Sequence, residues 1–140
     1  AEAARLRARI GMDKECEGID LYVRETGRAV DMRNDTTISM TLDLGGGVSM
    51  QVMGRPDAVC VDRNTVIEHK YRVHGLLGYV PLHERVQCHM YMKLIGCQHS
   101  QLVETFGKQI RIHDIFFDDD LWRDITDRVT RNLLKSDFPR

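Results

Sequence analysis

Long apolar runs are missing from this sequence: none approaches the ~18 residues that a membrane span needs, so no membrane partner is expected. No stretch reads as a secretory signal peptide. The four cysteines, Cys16, Cys60, Cys88 and Cys97, include no C-x-x-C pair. They read as buried, reduced thiols, which implies an intracellular protein whose compartment is left open. Zinc is excluded on spacing, because Cys88 and His89 are adjacent and diverge on a helix, leaving Cys97 and His99 without a matching pair. Charge of one sign is lacking too. A net charge of -1 and a pI near 6.7 exclude a nonspecific nucleic-acid coat, which relies on a large positive field. The three glycines at 45 to 47 lack the Gly-Lys-Ser/Thr ending of a phosphate loop and read as a hairpin turn. An initiator Met is absent, and "AEAARLRARIGMDKE" is already helix-like. The chain is therefore expected to be a fragment or core of something longer.

What is present is an ordinary globular composition, 42% hydrophobic and 29% charged over 140 residues, enough for one domain covering 1–140 with its own core. Residues 1 to 26 carry Met12, Cys16, Ile19 and Val23 at helical spacing, ended by Gly27. "RAVDMRND", "TTISMTLDL", "VSMQVMGRPDAVCV" and "TVIEHKYRV" read as a meander of strands joined by tight turns. A loop holding Pro81 leads into the helix "ERVQCHMYMKLIG", whose Val86, Met90, Leu94 and Gln87, Tyr91 form two neighbouring rows. Two strands follow, "QLVETF" and "QIRIHDIFF". The last element is a helix with Asp118 as N-cap, aspartates in its first turn, and Leu121, Trp122, Ile125, Val129 and Leu133 inward. The fold class is α/β, a mixed β-sheet with helices on both faces.

The chemistry concentrates in the hairpin around "VDRNTV". With Asp62 and Arg63 as a two-residue loop, Val61 faces Asn64, and counting outward sets Asp57 opposite Glu68 on one sheet face, whereas a three-residue loop makes the facing diagonal. Lys70, two residues on, points the same way. Two carboxylates so placed repel by about 4 kcal/mol at ~4 Å and an effective dielectric of ~20. Lys70 offsets part of this, and a divalent cation held between the oxygens offsets more. Mg²⁺ suits such a site because it accepts one or two carboxylates together with waters and phosphate oxygens. A metal there can generate hydroxide, orient a phosphodiester and stabilise the leaving oxygen, while the lysine steadies the attacking water or the developing charge. The surrounding basic residues Arg55, Arg72, Arg85 and Lys93 are candidate phosphate contacts.

An acid, then E-x-K, across a β-hairpin resembles the PD-(D/E)xK nuclease superfamily, and "RPD...IEHK" carries even the proline. Gln87 and Tyr91 form the Q-x-x-x-Y arrangement of RecB-like and lambda-exonuclease-like members. Upstream, Gly11, Glu15, Tyr22, Thr26 and Gly27 match the first-helix pattern of the YqaJ and lambda exonuclease family. The resemblance implies a restriction-endonuclease-like core whose active site lies on the meander hairpin. It implies a Mg²⁺- or Mn²⁺-dependent phosphodiesterase using one or two ions and acting on DNA. Asp57, Glu68 and the main-chain carbonyl of His69 would be metal ligands, Lys70 the catalytic lysine, and Glu15 and Gln87 supporting site residues. Tyr91 would pack, orient Gln87 or touch substrate. The activity implied is an exonuclease resecting duplex DNA ends for recombination or repair, and the resemblance leaves open a ring-like homo-trimer or a single-strand annealing protein as partner. An endonuclease of the same superfamily, acting on flaps, junctions or RNA, and a retired nuclease fold serving as a binding module are the alternatives.

Overall fold

Alternating apolar residues build the strands of this chain, and the alternation decides which helix covers which sheet face. The computed structural model describes residues 16–31 and 36–136. Glu15 and the start of the first helix lie outside the described residues. Helix α1 covers residues 16–26. It is followed by β1 (Val30–Asp31), β2 (Ile38–Gly45), β3 (Val48–Gly54), β4 (Ala58–Cys60), β5 (Thr65–Tyr71), α2 (Leu82–Ile95), β6 (His99–Phe106), β7 (Gln109–Phe116) and α3 (Asp119–Ser136). A five-stranded mixed sheet has the order β1-β4-β5-β6-β7. Only β5 and β6 are parallel, as the α2 crossover between them requires. No described helix is long and apolar enough to cross a membrane.

Side chains of β5 alternate between two cores. Ile67 joins Ile19, Tyr22, Ala58, Cys60 and Val103 beneath α1, whereas Val66 joins Val59, Cys88, Met92, Leu102 and Ile115 beneath α2. Helices thus lie on both faces, as expected from the sequence. Fully burying Ile67, Leu102 or Met92 contributes about 1.5–3 kcal/mol each. On α1, Ile19, Tyr22 and Val23 supply the inward stripe, and the Gly27 N–H closes the helix on Val23 O at 2.8 Å with φ of 69°. On α2 the deepest row is Glu84, Cys88 and Met92, one step round from the row of Gln87 and Tyr91. The Asp118 side chain caps α3, accepting from the N–H groups of Asp120 (3.0 Å) and Leu121 (3.2 Å). His89 joins the two helices: Nδ1 donates to Arg85 O at 2.8 Å, leaving Nε2 to accept the Asp118 N–H at 3.0 Å.

The strand expected over "VSMQVMGRPDAVCV" is broken. β2 and β3 form a separate two-stranded sheet, and β4 pairs with β1 and β5 instead. The break falls at Arg55–Pro56–Asp57. Pro56 has no ladder donor, and Gly54 passes so close to α2 that a Cβ would stand 2.8 Å from Leu94 Cδ1 and 3.0 Å from Tyr91 Cε1. Of the thiols, Cys60, Cys88 and Cys97 are buried and Cys16 is exposed; all four are free.

Gly18 meets the sheet in the same intimate way, since a Cβ there would overlap the imidazole of His69. Gly18→Ala should therefore destabilise by about 1–3 kcal/mol through overpacking. Urea unfolding checks this, and an unchanged midpoint would contradict the α1 packing.

Candidate active site

The β4–β5 hairpin closes through a turn over 60–63 centred on Val61 and Asp62, one residue earlier than the expected loop of Asp62 and Arg63. Arg63 takes φ of 59° and donates its N–H to Cys60 O at 2.7 Å, while Asp62 Oδ1 accepts the Asn64 N–H at 3.0 Å. The register Ala58↔Ile67 and Val59↔Val66 continues outward to place Asp57 opposite Glu68. Both acids are buried, at 7% and 4% exposure. Asp57 Oδ2 accepts the His69 N–H at 2.8 Å. In an antiparallel pair the N–H and C=O of such a residue face the same neighbour, and the position across from His69 is Pro56. Proline has no N–H to return to the His69 carbonyl.

Lys70 emerges on the same face. Its Nζ stands 3.3 Å from Glu68 Oε1 and donates to Gln87 Oε1 at 2.9 Å. The Gln87 amide is 3.5 Å from the Tyr91 hydroxyl, and Tyr91 packs against the core beneath α2. Burial pushes the Glu68 carboxyl far above the ordinary glutamate range, and the neighbouring Asp57 charge adds to it despite Lys70. Burial raises Asp57 as well, against the pull of the His69 N–H. Both shifts oppose full ionisation of the pair.

These donors fit a hard divalent ion. Glu68 Oε2 is buried with no hydrogen-bond partner, and Asp57 lies across from it. Among the described residues no group of three or more His, Cys, Asp or Glu side chains is arranged to hold a metal, but one or two carboxylates suffice for Mg²⁺. The His69 imidazole takes no part on this face. It points toward α1, with Nε2 2.6 Å from Thr105 Oγ1, and burial lowers its pKa to about 4.

The remaining basic residues are dispersed. Arg55 is exposed next to Pro56, and Arg85 is half-buried on α2. The Lys93 ammonium sits over the rings of Phe117 (4.9 Å) and Trp122 (5.4 Å) rather than beside Lys70. Arg72 departs furthest from a free phosphate contact, being 13% exposed and gripped by two acids. NH1 and NH2 each donate to Glu84 at 2.8 Å, and Nε donates to Glu104 at 2.9 Å. Glu104, with no exposed surface, also accepts from the Leu77 N–H (2.9 Å) and the Gly78 N–H (3.3 Å) and pairs with His113 Nε2 (2.7 Å). Glu84, Glu104 and His113 were not singled out from the sequence. The available signal was an acid inside the buried strand "QLVETF", which the register places beside Lys70.

No family model matches the chain, and no curated protein sequence does either. Solved structures match through the fold. The structure of SSO0001 superposes with a TM-score of 0.70 and 18% identity, over 99% of this chain and 65% of that one. An alkaline exonuclease (LHK-Exo) from Laribacter hongkongensis, also crystallised in complex with dAMP, gives a TM-score of 0.66 and 20% identity over 88% of this chain and 64% of its own. A phage related exonuclease from Haemophilus somnus 129PT gives 0.65 and 17%, over 88% and 67%. This chain therefore spans 65% and 64% of the lengths of SSO0001 and LHK-Exo. It has the fold of the LHK-Exo and phage related exonuclease structures, the restriction-endonuclease-like α/β core expected from the motif resemblance.

Burial alone would raise Glu104, but the donors from His113, the Leu77 N–H, Arg72 and the Gly78 N–H outweigh it and hold the carboxyl down at about 2. A depressed folded pKa contributes stability that is complete above the ordinary value of 4.5 and is lost as pH falls toward about 2. Urea unfolding across that window should show wild type losing stability more steeply than Glu104→Gln, although the variant is the weaker at pH 7. Parallel acid limbs would contradict the assigned network.

Proposed function

We propose that this chain carries a Mg²⁺- or Mn²⁺-dependent deoxyribonuclease that resects duplex DNA from an end. The observation that carries this reading is the buried opposition of Asp57 and Glu68, with Lys70 bridging Glu68 Oε1 and Gln87 Oε1 on the open side. The exonuclease fold of the structural neighbours, one of them seen with a bound deoxynucleotide, supports the same chemistry.

Asp57, Glu68 and the His69 carbonyl would hold the ion. When bound, it would supply Lewis-acid polarisation of a phosphate oxygen and a more acidic water. The rest falls to the chain itself. Lys70 has an ammonium aimed from the strand, steadied by Gln87, and can donate to the attacking water or to charge developing on the phosphoryl oxygens. Gln87 fixes the direction of that ammonium, and Tyr91 stands behind the Gln87 amide. The hairpin ladder sets the two acids opposite each other, and the His69 N–H fixes the Asp57 carboxylate, which limits the reorganisation that accompanies the reaction.

Two measurements test this. Linear duplex DNA should be degraded in Mg²⁺ or Mn²⁺, and Lys70→Ala should lower kcat by about 10²–10³-fold while still melting cooperatively as a folded protein. Equal rates for the two proteins, or no cleavage by either, would contradict the assignment. Circular and end-blocked duplexes, when spared, identify resection rather than internal cleavage. In thermal melts, Mn²⁺ at a hundred times its Kd should stabilise wild type by about 2.7 kcal/mol. Asp57→Asn should lose that gain, yet melt at or above wild type in chelator, because one of two repelling carboxylates is gone. A variant that kept the full Mn²⁺ gain would remove Asp57 from the site.

A further inference from the structure

Lys70 is the most exposed member of the acid–lysine group, on a long flexible stem, and one hydrogen bond to Gln87 gives it a direction. What holds Gln87 at that distance is not its own contacts, since its other amide atom reaches Tyr91 only at 3.5 Å. The stronger tie between the same two elements lies one step along. Arg72 follows Lys70 by two residues and stays in the sheet through its N–H to Thr105 O at 2.8 Å, so it faces the same side. Glu84 precedes Gln87 by three residues on α2, one turn back along the helix. Strand and helix are thus joined by two rungs, Lys70–Gln87 and Arg72–Glu84. The first is a single bond at 26% lysine exposure, and the second is a bidentate pair between groups 13% and 5% exposed.

A fork-to-fork guanidinium–carboxylate pair fixes distance and angle together, which a lone ammonium–amide bond does not. Glu104 completes the clamp by taking Arg72 Nε and the N–H groups of Leu77 and Gly78, so the chain leaving β5 is tied down before α2 begins. We propose that Arg72, gripped by Glu84 and Glu104, is a positioning residue that sets the separation of β5 and α2 and thereby the placement of the Lys70 ammonium on Gln87. It contacts no phosphate. This rests on Lys70 serving the nuclease site proposed above.

Glu84→Gln is the decisive variant. It cannot accept both guanidinium donors, yet Arg72 keeps its bond to Glu104, so no buried charge is stranded; Arg72→Lys, which keeps the charge and loses the fork, is the second variant. The first readout needs no activity: the ammonium ¹⁵N resonance of Lys70, assigned with Lys70→Ala, with Gln87→Ala marking the position of a lysine that has lost its partner. In both variants the resonance should move toward that position, and an unmoved resonance overturns the proposal. The second readout is the split of kcat from KM on linear duplex DNA. Misplacement predicts kcat down about tenfold with KM unchanged. A phosphate-binding Arg72 predicts the opposite for Glu84→Gln, a freed guanidinium and a lower KM with kcat intact, and that result also overturns the proposal. Should wild type cleave nothing, the nuclease reading falls while the resonance still decides the positioning role.

Discussion

Two carboxylates forced together inside a β-hairpin are the constraint from which the rest of this site follows. Asp57 and Glu68 face each other because the β4–β5 register sets them opposite, and they are buried because α2 covers that end of the sheet. A pair left this way costs the fold about 4 kcal/mol if both groups ionise at ~4 Å and an effective dielectric of ~20. Lys70 relieves part of the repulsion, and protonation of Glu68 relieves more. A cation gripped by the same oxygens would relieve it while leaving both acids charged, which is the state that phosphodiester chemistry needs.

Around this strained centre the chain invests in rigidity. The face that carries Glu68 and Lys70 ends in Arg72, whose bonds to Glu84 and Glu104 link β5, α2 and β6, while Glu104 pins the loop by accepting the Leu77 and Gly78 N–H groups. On the opposite face the His69 ring is neutral and seated against Gly18, so β5 is held from behind as well. Buried networks of this kind are high-stakes, because breaking one partner leaves the others unpaired in a poor solvent.

The hairpin was legible to within one residue because its geometry is local: a tight turn leaves few registers, and counting outward gives the acid pair, although the turn itself is centred on Val61 and Asp62 rather than on Asp62 and Arg63. The row of Gln87 and Tyr91 was legible for a similar reason, since helical spacing alone puts them on one face. The break between β3 and β4 was not, because it depends on how closely Gly54 approaches Tyr91 and Leu94, a contact with a helix that comes later in the chain. Arg72 read as a phosphate ligand because its true partners lie 12 and 32 residues away, and nothing near it in sequence announces Glu84 or Glu104. Placement of Glu15 lies outside the described residues, so its part in the site rests on the motif resemblance alone.

The central claim is that the opposed acids form a cation site, and anomalous scattering from a crystal soaked in Mn²⁺ tests it most directly. The account predicts a peak between the Asp57 and Glu68 carboxylates, close to the His69 carbonyl, that vanishes in Asp57→Asn. No peak there, or one that survives the substitution, would contradict it.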